Sequence, residues 1–411
     1  MNSQKTTIAD FVVVGAGILG LSIASELYER FPTATIIVLE KEKSLGLHAS
    51  GRNSGVLHSG IYYPPGSLKA KLCADGAQKM RAYCKEYQLP CHQLGKVIIP
   101  TKVEDSHTLQ MLYQRGLQNG VKVEYIDNLQ LQELEPATNS PTGHALFVPT
   151  TSVVDPFLIV QHLYNQLQAK GVRFLLNENC TNIDTVQQRI QLKSSTLSYK
   201  HLVNTAGLYA DKIADRCGIS NKYTMIPFKG IYYELNPASN LAVNRLIYPV
   251  PDMNVPFLGV HFTKSVYGKI YVGPTAIPAL GREQYRGLNG LKITEALGSM
   301  YHLMIQYKLN QQGFRVYTHN EVSQFLKSKF VNAAKLLMPA MTANDLVLSK
   351  KVGIRAQLLD ISSRQLVMDF LIEQTQNETH ILNAVSPAFT SAFSFSEKVV
   401  SLIESKFAVA I

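Results

Sequence analysis

The sequence predicts an α/β protein: a Rossmann-like, parallel-sheet nucleotide unit joined to a second region built on an antiparallel sheet. Three observations carry this. Residues 11–14, an apolar β-branched run, lead straight into Gly15-Ala16-Gly17-Ile18-Leu19-Gly20, then a helix-patterned stretch, then a second strand ending in the acid Glu40. Far down the chain, Leu202-Val203-Asn204 meets Ala206-Gly207 in another strand-to-glycine turn. From about 223 to 349 the pattern becomes short strand-like runs separated by Pro and Gly.

Each part of the first segment has a physical task. Gly15 permits the tight turn, Gly17 lets backbone approach a pyrophosphate, and Gly20 lets the helix pack close to the strand. Ile18 opens the helix, whose first N–H groups and positive dipole end attract that pyrophosphate. Glu40, followed by Lys41, stands where an acid accepts hydrogen bonds from ribose hydroxyls, and its charge disfavours a 2′-phosphate. It does not separate NAD from FAD. The chain then runs through a Gly/Ser/Asn-rich loop at 46–60 whose N–H and hydroxyl groups suit an extended anionic ligand. FAD, longer than NAD, needs such a second cradle.

Composition narrows the rest. With 411 residues there is room for two or three domains, and 46% apolar and 17% charged residues exclude disordered and coiled-coil chains. No run approaches the ~18 apolar residues of a membrane helix. Cys73, Cys84, Cys91, Cys180 and Cys217 include no C-x-x-C pair, so neither a metal site nor a disulfide framework is signalled, and a reducing compartment fits. The first nine residues are polar and meet a strand directly, leaving no room for a targeting peptide; the expectation is a cytoplasmic protein. Net charge is +10, from 40 Lys plus Arg against 30 Asp plus Glu. No nucleic-acid module accompanies it. That leaves a scattered basic surface, an anionic membrane surface or a small acidic substrate. Residues 324–337 bear on the membrane alternative: Lys327, Lys329 and Lys335 alternate with Phe325, Leu326, Phe330, Leu336 and Leu337, a helix that either lies on the inner face of a membrane or packs its apolar side on the protein.

Elsewhere the periodicity predicts helices at 76–87, 105–119 and 157–170, the last with a stripe of Leu158, Val160, Leu163 and Leu167. Strands are predicted at 97–100 and 172–176, and a largely helical stretch at 294–335.

Residues 46–71, including HASGRNSGVLHSGIYYPPGSLKAK, resemble the flavoprotein family of L-2-hydroxyglutarate oxidases and dehydrogenases, part of the wider D-amino-acid oxidase and glycine oxidase superfamily. The resemblance recurs at residues 204–211, 246–251, 256–263, 272–274, 353–357, 369–372 and 383–391. Two departures bear on pocket shape: Lys229-Gly230-Ile231 stands where the family has Arg-Gly-Glu, and Phe389 and later phenylalanines replace smaller residues. The resemblance implies a D-amino-acid oxidase-like fold with a discontinuous FAD-binding domain (1–75, 145–222, 350–411) and a substrate domain (76–144, 223–349) roofing the flavin ring. It implies FAD as cofactor, a small dicarboxylate substrate oxidised by hydride transfer, and electrons passed to a quinone, another acceptor or oxygen. Other small acids remain alternatives: an amino acid, a secondary amine or glycerol 3-phosphate. So does a catalytically silent flavin-binding or membrane-associated protein.

The chemistry selects candidates. A carboxylate is best gripped by the planar fork of an arginine, and Arg355 sits in the glycine-hydrophobe-arginine segment that carries this role in the superfamily. The hydroxyl proton needs a base, and His58 and His261 both lie in family motifs; His58 is also placed to carry flavin covalently. Tyr62, Tyr63 and Lys69 are further candidates on the same segment. Ser386, Pro387, Ala388 and Thr390 resemble the tail loop that meets one edge of the flavin, with Asn53, Ser54, Gly55 and Val56 facing the other part of the ring.

Overall fold

A computed structural model describes residues 7–219, 222–253 and 258–409. Pro256 and Phe257 of the sequence signature, and residues 1–6 of the polar start, lie outside the described residues. The chain forms two compact units, each assembled from separated segments.

The first unit holds residues 1–52, 156–225 and 356–411. Its core is a run of parallel strands in the order Arg173–Leu176, Ile36–Glu40, Thr7–Val14, Thr196–Asn204 and Glu378–Asn383. Val14 lies beside both Leu39 and Asn204, so three strands end together at the glycine loop. Strands buried on both faces must be apolar throughout, and Phe11 to Val14 and Ile36 to Leu39 are all buried. Helix Ile18–Arg30 follows the loop and packs against Ala392–Val409, where Arg30 Nη1 donates to Ser401 Oγ at 2.9 Å. Helix Pro156–Ala169 occupies the place predicted for it, but its buried stripe is Ile159, Val160, Leu163 and Leu167. Leu158 faces solvent instead, because the helix turns Ile159 inward.

The second unit holds residues 53–155 and 226–355. Its large sheet runs through Leu346–Asp360, Tyr223–Leu235, Ile270–Val272, Phe262–Lys264, Leu246–Pro249, Lys96–Ile99, His144–Val148 and Glu124–Asp127. Leu246–Pro249 runs parallel to Lys96–Ile99; Tyr223–Leu235 with Ile270–Val272, Ile270–Val272 with Phe262–Lys264, Phe262–Lys264 with Leu246–Pro249, Lys96–Ile99 with His144–Val148 and His144–Val148 with Glu124–Asp127 are antiparallel. Helix Lys327–Lys335 buries Phe330, Val331 and Ala334 against Ile99, Ile247, Phe262 and Val272. Of the two uses the sequence allowed for this helix, packing on the protein is the one its Phe330 face serves. Three separate helices, Ile293–Leu309, Phe314–Ser323 and Lys327–Lys335, make up the predicted helical stretch.

The unit boundaries differ from the sequence reading at 53–75, 145–155 and 350–355, which belong to the second unit, and at 223–225, which belong to the first. The reason at 53–75 and 145–155 is a small sheet: Val56–Leu57 and Cys91–Gln93 both pair with Ser152–Val154. Helix Leu68–Glu86 then extends eight residues earlier than its apolar pattern suggested, because Ser67 caps it by accepting from Ala70 N at 3.2 Å.

Gly20 makes the tightest of the loop contacts: a Cβ there would stand 1.8 Å from Gly15 O and 2.7 Å from Thr205 Oγ1. Gly20→Ala is therefore expected to cost about 1–3 kcal/mol of the first unit's stability, the range for forced overpacking. Denaturant unfolding checks this; an unchanged midpoint would contradict the packing described.

Candidate active site

In the first unit the glycine loop is braced from three directions. Gly15 has φ +110°, and a Cβ there would meet Thr205 O at 2.7 Å. Thr205 Oγ1 lies 3.0 Å from Val14 O and 3.1 Å from Gly15 O, so the second strand-to-glycine turn is tied to the first. Glu40 accepts from Ala16 N and from Glu42 N, both at 3.0 Å. Ser50 Oγ accepts from Ile18 N at 2.9 Å, and a Cβ on Gly17 would stand 2.9 Å from that oxygen. The first turn of Ile18–Arg30 carries no acidic residue, so its positive end is not neutralised from within. Lys41 turns its ammonium to Glu42 and to His48, the latter at 2.9 Å; burial would raise the Glu42 carboxyl, but hydrogen bonds with Lys41 and His48 hold it below the usual range. Ala206 opens the short turn Gly207–Tyr209, its N–H bonded to Asn204 Oδ1 at 3.2 Å. Ser386, Pro387, Ala388 and Thr390 lie on the loop before Ala392–Val409, closed by Ala388 N to Val385 O and Ser391 N to Pro387 O. Phe395 packs edge-on against Phe370 at 5.0 Å.

In the second unit, Asn53 Oδ1 accepts from Gly55 N at 2.8 Å, and Val56 begins the short strand. Residues 58–63 follow as a pinned loop. Arg115 Nη1 donates to Tyr62 O at 2.8 Å, Asn119 Nδ2 to Gly60 O and Tyr63 O at 3.1 and 2.9 Å, and Cys73 Sγ to His58 O at 3.4 Å. His261 comes from the other side of the chain, just before Phe262–Lys264. Its ring stacks on Tyr248 at 4.1 Å, and Nδ1 donates to Gly259 O at 2.7 Å. A carbonyl only accepts, so the neutral ring keeps its basic lone pair on Nε2.

Burial and neighbouring positive charge hold both imidazoles neutral: His58 is pushed down to about 3 and His261 to about 4. His58 is acted on by Lys96 and His261, and His261 by Arg355 and Lys96. Arg355, near the middle of Leu346–Asp360, donates from Nη1 to Thr275 O at 3.1 Å. Lys69 is buried, 5.8 Å from the Tyr63 ring. The second unit thus brings His58, Tyr62, His261 and Arg355 into one electrostatic neighbourhood, with Lys69 at its margin beside Cys73.

Sequence reasoning passed over two lysines here. Lys96 is fully buried, its Nζ 4.4 Å from the Tyr62 ring and 5.2 Å from the Tyr248 ring. Lys351 lies 4.6 Å over Tyr271 and is pushed down to about 8 by burial. The available signal was a lysine opening the otherwise apolar strand Lys96–Ile99.

A doubly glycine-braced parallel sheet and a second unit rich in buried bases define a dinucleotide-dependent oxidoreductase class. A profile of FAD dependent oxidoreductases matches residues 10–402. An L-2-hydroxyglutarate dehydrogenase of Indibacter alkaliphilus is 36% identical over 94% of this chain and 97% of its own length. The mitochondrial L-2-hydroxyglutarate dehydrogenase of Homo sapiens is 35% identical over 98% and 90%. Among solved structures, the dithionite-reduced L-alpha-glycerophosphate oxidase of Mycoplasma pneumoniae with FAD bound superposes with a TM-score of 0.76 at 20% identity, covering 97% of this chain and 95% of that one. Glycine oxidase of Geobacillus kaustophilus gives 0.73 at 16% identity, with coverage of 97% and 95%. The chain belongs to the FAD dependent oxidoreductase family. Its first unit fits FAD, with glycines where a Cβ would collide, an acid fixed at the strand end and an unneutralised helix N-terminus.

Glu40→Ala leaves Ala16 N and Glu42 N without their acceptor and is expected to weaken FAD binding at least tenfold. Flavin fluorescence titration of the apoprotein measures it; wild-type affinity would remove Glu40 from the cradle.

Proposed function

We propose that this protein oxidises L-2-hydroxyglutarate to 2-oxoglutarate. The observation that carries the reading is the second unit's combination of one guanidinium, two neutral imidazoles, the buried Lys96 and the half-buried Lys351. That set suits a doubly anionic hydroxy acid, and proteins named for this reaction are 31–36% identical over nearly the whole chain.

Bound FAD supplies the hydride acceptor. In the first unit Gly15, Gly17, Ile18, Gly20, Glu40 and Lys41, Ala206 and Gly207, and Ser386, Pro387, Ala388 and Thr390 would hold it; in the second unit the candidates are Asn53, Ser54, Gly55 and Val56. Arg355 grips a substrate carboxylate; Thr275 O orients its guanidinium. His261 Nε2 or His58 accepts the hydroxyl proton as the hydride leaves C2. Tyr62 and Lys69 shape and charge the wall beside His58.

The electrons would go on to a quinone, another acceptor or oxygen, and the second unit has a face suited to reaching a membrane-bound one. Among the described residues no helix is long and apolar enough to cross a membrane. Helix Ile293–Leu309, however, exposes Ile293 (77%), Leu297 (61%) and Met304 (60%) along one side, with Phe325 and Leu326 nearby in sequence and also exposed. Basic residues accompany them: Lys292, Lys308, Arg315, Lys327, Lys329 and Lys335 are exposed, while Glu295 pairs with Lys292 and Glu321 is buried. Apolar side chains among cations suit peripheral contact with an anionic bilayer.

Anaerobic mixing with a panel of acids tests the function: L-2-hydroxyglutarate should abolish the oxidised-flavin absorbance, and bleaching by glycine, proline or glycerol 3-phosphate instead would overturn it. Arg355→Ala should raise KM roughly 10–100-fold, as loss of a charged hydrogen-bond pair of about 1.5–3 kcal/mol requires. An unchanged KM removes Arg355 from the anchoring role. For the membrane face, Leu297→Asp with Met304→Asp should abolish co-sedimentation with phosphatidylglycerol vesicles and leave flavin reduction intact; equal sedimentation of variant and wild type would contradict it.

A further inference from the structure

Lys96 is a cation without an evident anion. Its side chain is fully buried, and Nζ has no hydrogen-bond partner among the described residues. What faces it is two aromatic rings, Tyr62 at 4.4 Å and Tyr248 at 5.2 Å. Tyr248 in turn stacks on His261 at 4.1 Å. Its backbone is fixed on a sheet strand, Lys96 beside Leu246 on one flank and Val148 on the other. The charged and titratable groups around the imidazoles come from every neighbouring segment: Lys96 and Cys73 beside His58, Lys69 beside Cys73, Tyr62 and Tyr63 on the pinned loop, and Tyr248, Tyr232 and Arg355 around His261.

We propose that Lys96 is a positioning residue of the active site, holding the cluster's proton in place of His58 and His261 so that both imidazoles stay able to accept one from substrate. The inference deepens the hydroxy-acid reading and rests on it. The ring faces of Tyr62 and Tyr248 attract the Lys96 ammonium, and the Tyr248 ring also stacks, tilted by 31°, on His261. Once one positive charge sits in this low-dielectric cluster, a second is repelled. The order of protonation follows: burial brings Lys96 down only to about 7, whereas burial and repulsion by Lys96 take His58 and His261 to about 3 and 4. The first proton goes to Nζ. A dianionic substrate brings the opposite charge that makes a second proton tolerable, so the imidazole gains basicity when substrate arrives. The proton then moves from the substrate hydroxyl to the imidazole, with no change of charge on Lys96.

The test uses the holoenzyme with labelled histidine rings, followed by NMR against pH without substrate; His58→Gln and His261→Gln assign the two signals. In the wild type both imidazoles should stay neutral down to pH of about 5. In Lys96→Met at least one midpoint should rise by about 1 unit or more, and the acid limb of kcat/KM for L-2-hydroxyglutarate should rise with it. Lys96→Arg, which keeps the charge, should retain wild-type midpoints. Flavin content reports folding, and Lys96→Gln replaces the Met variant if that fails to hold FAD. Unmoved midpoints in the neutral variant, or equal movement in Lys96→Arg, overturn the proposal. Because the NMR midpoints need no substrate, moved midpoints with an enzyme that ignores L-2-hydroxyglutarate would sink the substrate assignment and keep the role of Lys96.

Discussion

Positive charge buried in apolar surroundings is the constraint on which the second unit depends. Lys96, the half-buried Lys351 and Arg355, and two imidazoles occupy the same unit; Asp155 and Glu234 act on Lys351, and Glu321, which acts with Arg355, is itself pushed up by burial while accepting from Ala276 N. Such a cluster cannot be fully protonated, because each added charge is repelled by those already there. The imidazoles are the groups that yield. Neutral imidazole is the form that takes a proton, but burial also weakens it as a base, so the negative charge of the substrate has to restore its basicity.

The first unit solves a different problem, bringing backbone close to backbone. Gly15, Gly17 and Gly20 each stand where a Cβ would meet an oxygen within 3 Å. Thr205 is the hinge of this arrangement, since it bonds to the carbonyls of Val14 and Gly15 and also forms the wall that Gly15 and Gly20 face. Two glycine turns nearly two hundred residues apart are thus one structural feature. Glu40 adds the third brace by accepting two backbone N–H groups, which leaves further lone pairs of its carboxylate for a ligand.

The nucleotide cradle was legible in the sequence because its signal is local: strand, glycine spacing, helix and acid follow within 30 residues. Parallel order among distant strands followed from the same logic once the 202–207 turn was recognised. The charged cluster was only half legible. His58, His261 and Arg355 announce themselves by residue type and motif, but Lys96 becomes significant only when the strand that carries it is buried between Leu246–Pro249 and His144–Val148. Lys351 is the same case. The boundary expected after residue 75 falls at residue 53 because a two-residue strand, Val56–Leu57, has no periodicity to read; its allegiance is set by pairing with Ser152–Val154. Leu158 and Ile159 exchanged roles because adjacent apolar residues fit a helical stripe equally well until the helix has something to pack on.

Hydride removal from C2 of a hydroxy acid, assisted by a neutral imidazole, is the chemical core of the account. Stopped-flow reduction of the holoenzyme by L-2-hydroxyglutarate carrying deuterium at C2, compared with the unlabelled acid at saturating concentration and without oxygen, tests it most directly. The expected result is slower loss of oxidised flavin with the deuterated acid and one 2-oxoglutarate formed per flavin reduced. Equal rates with no 2-oxoglutarate, or no reduction by either acid, would contradict it.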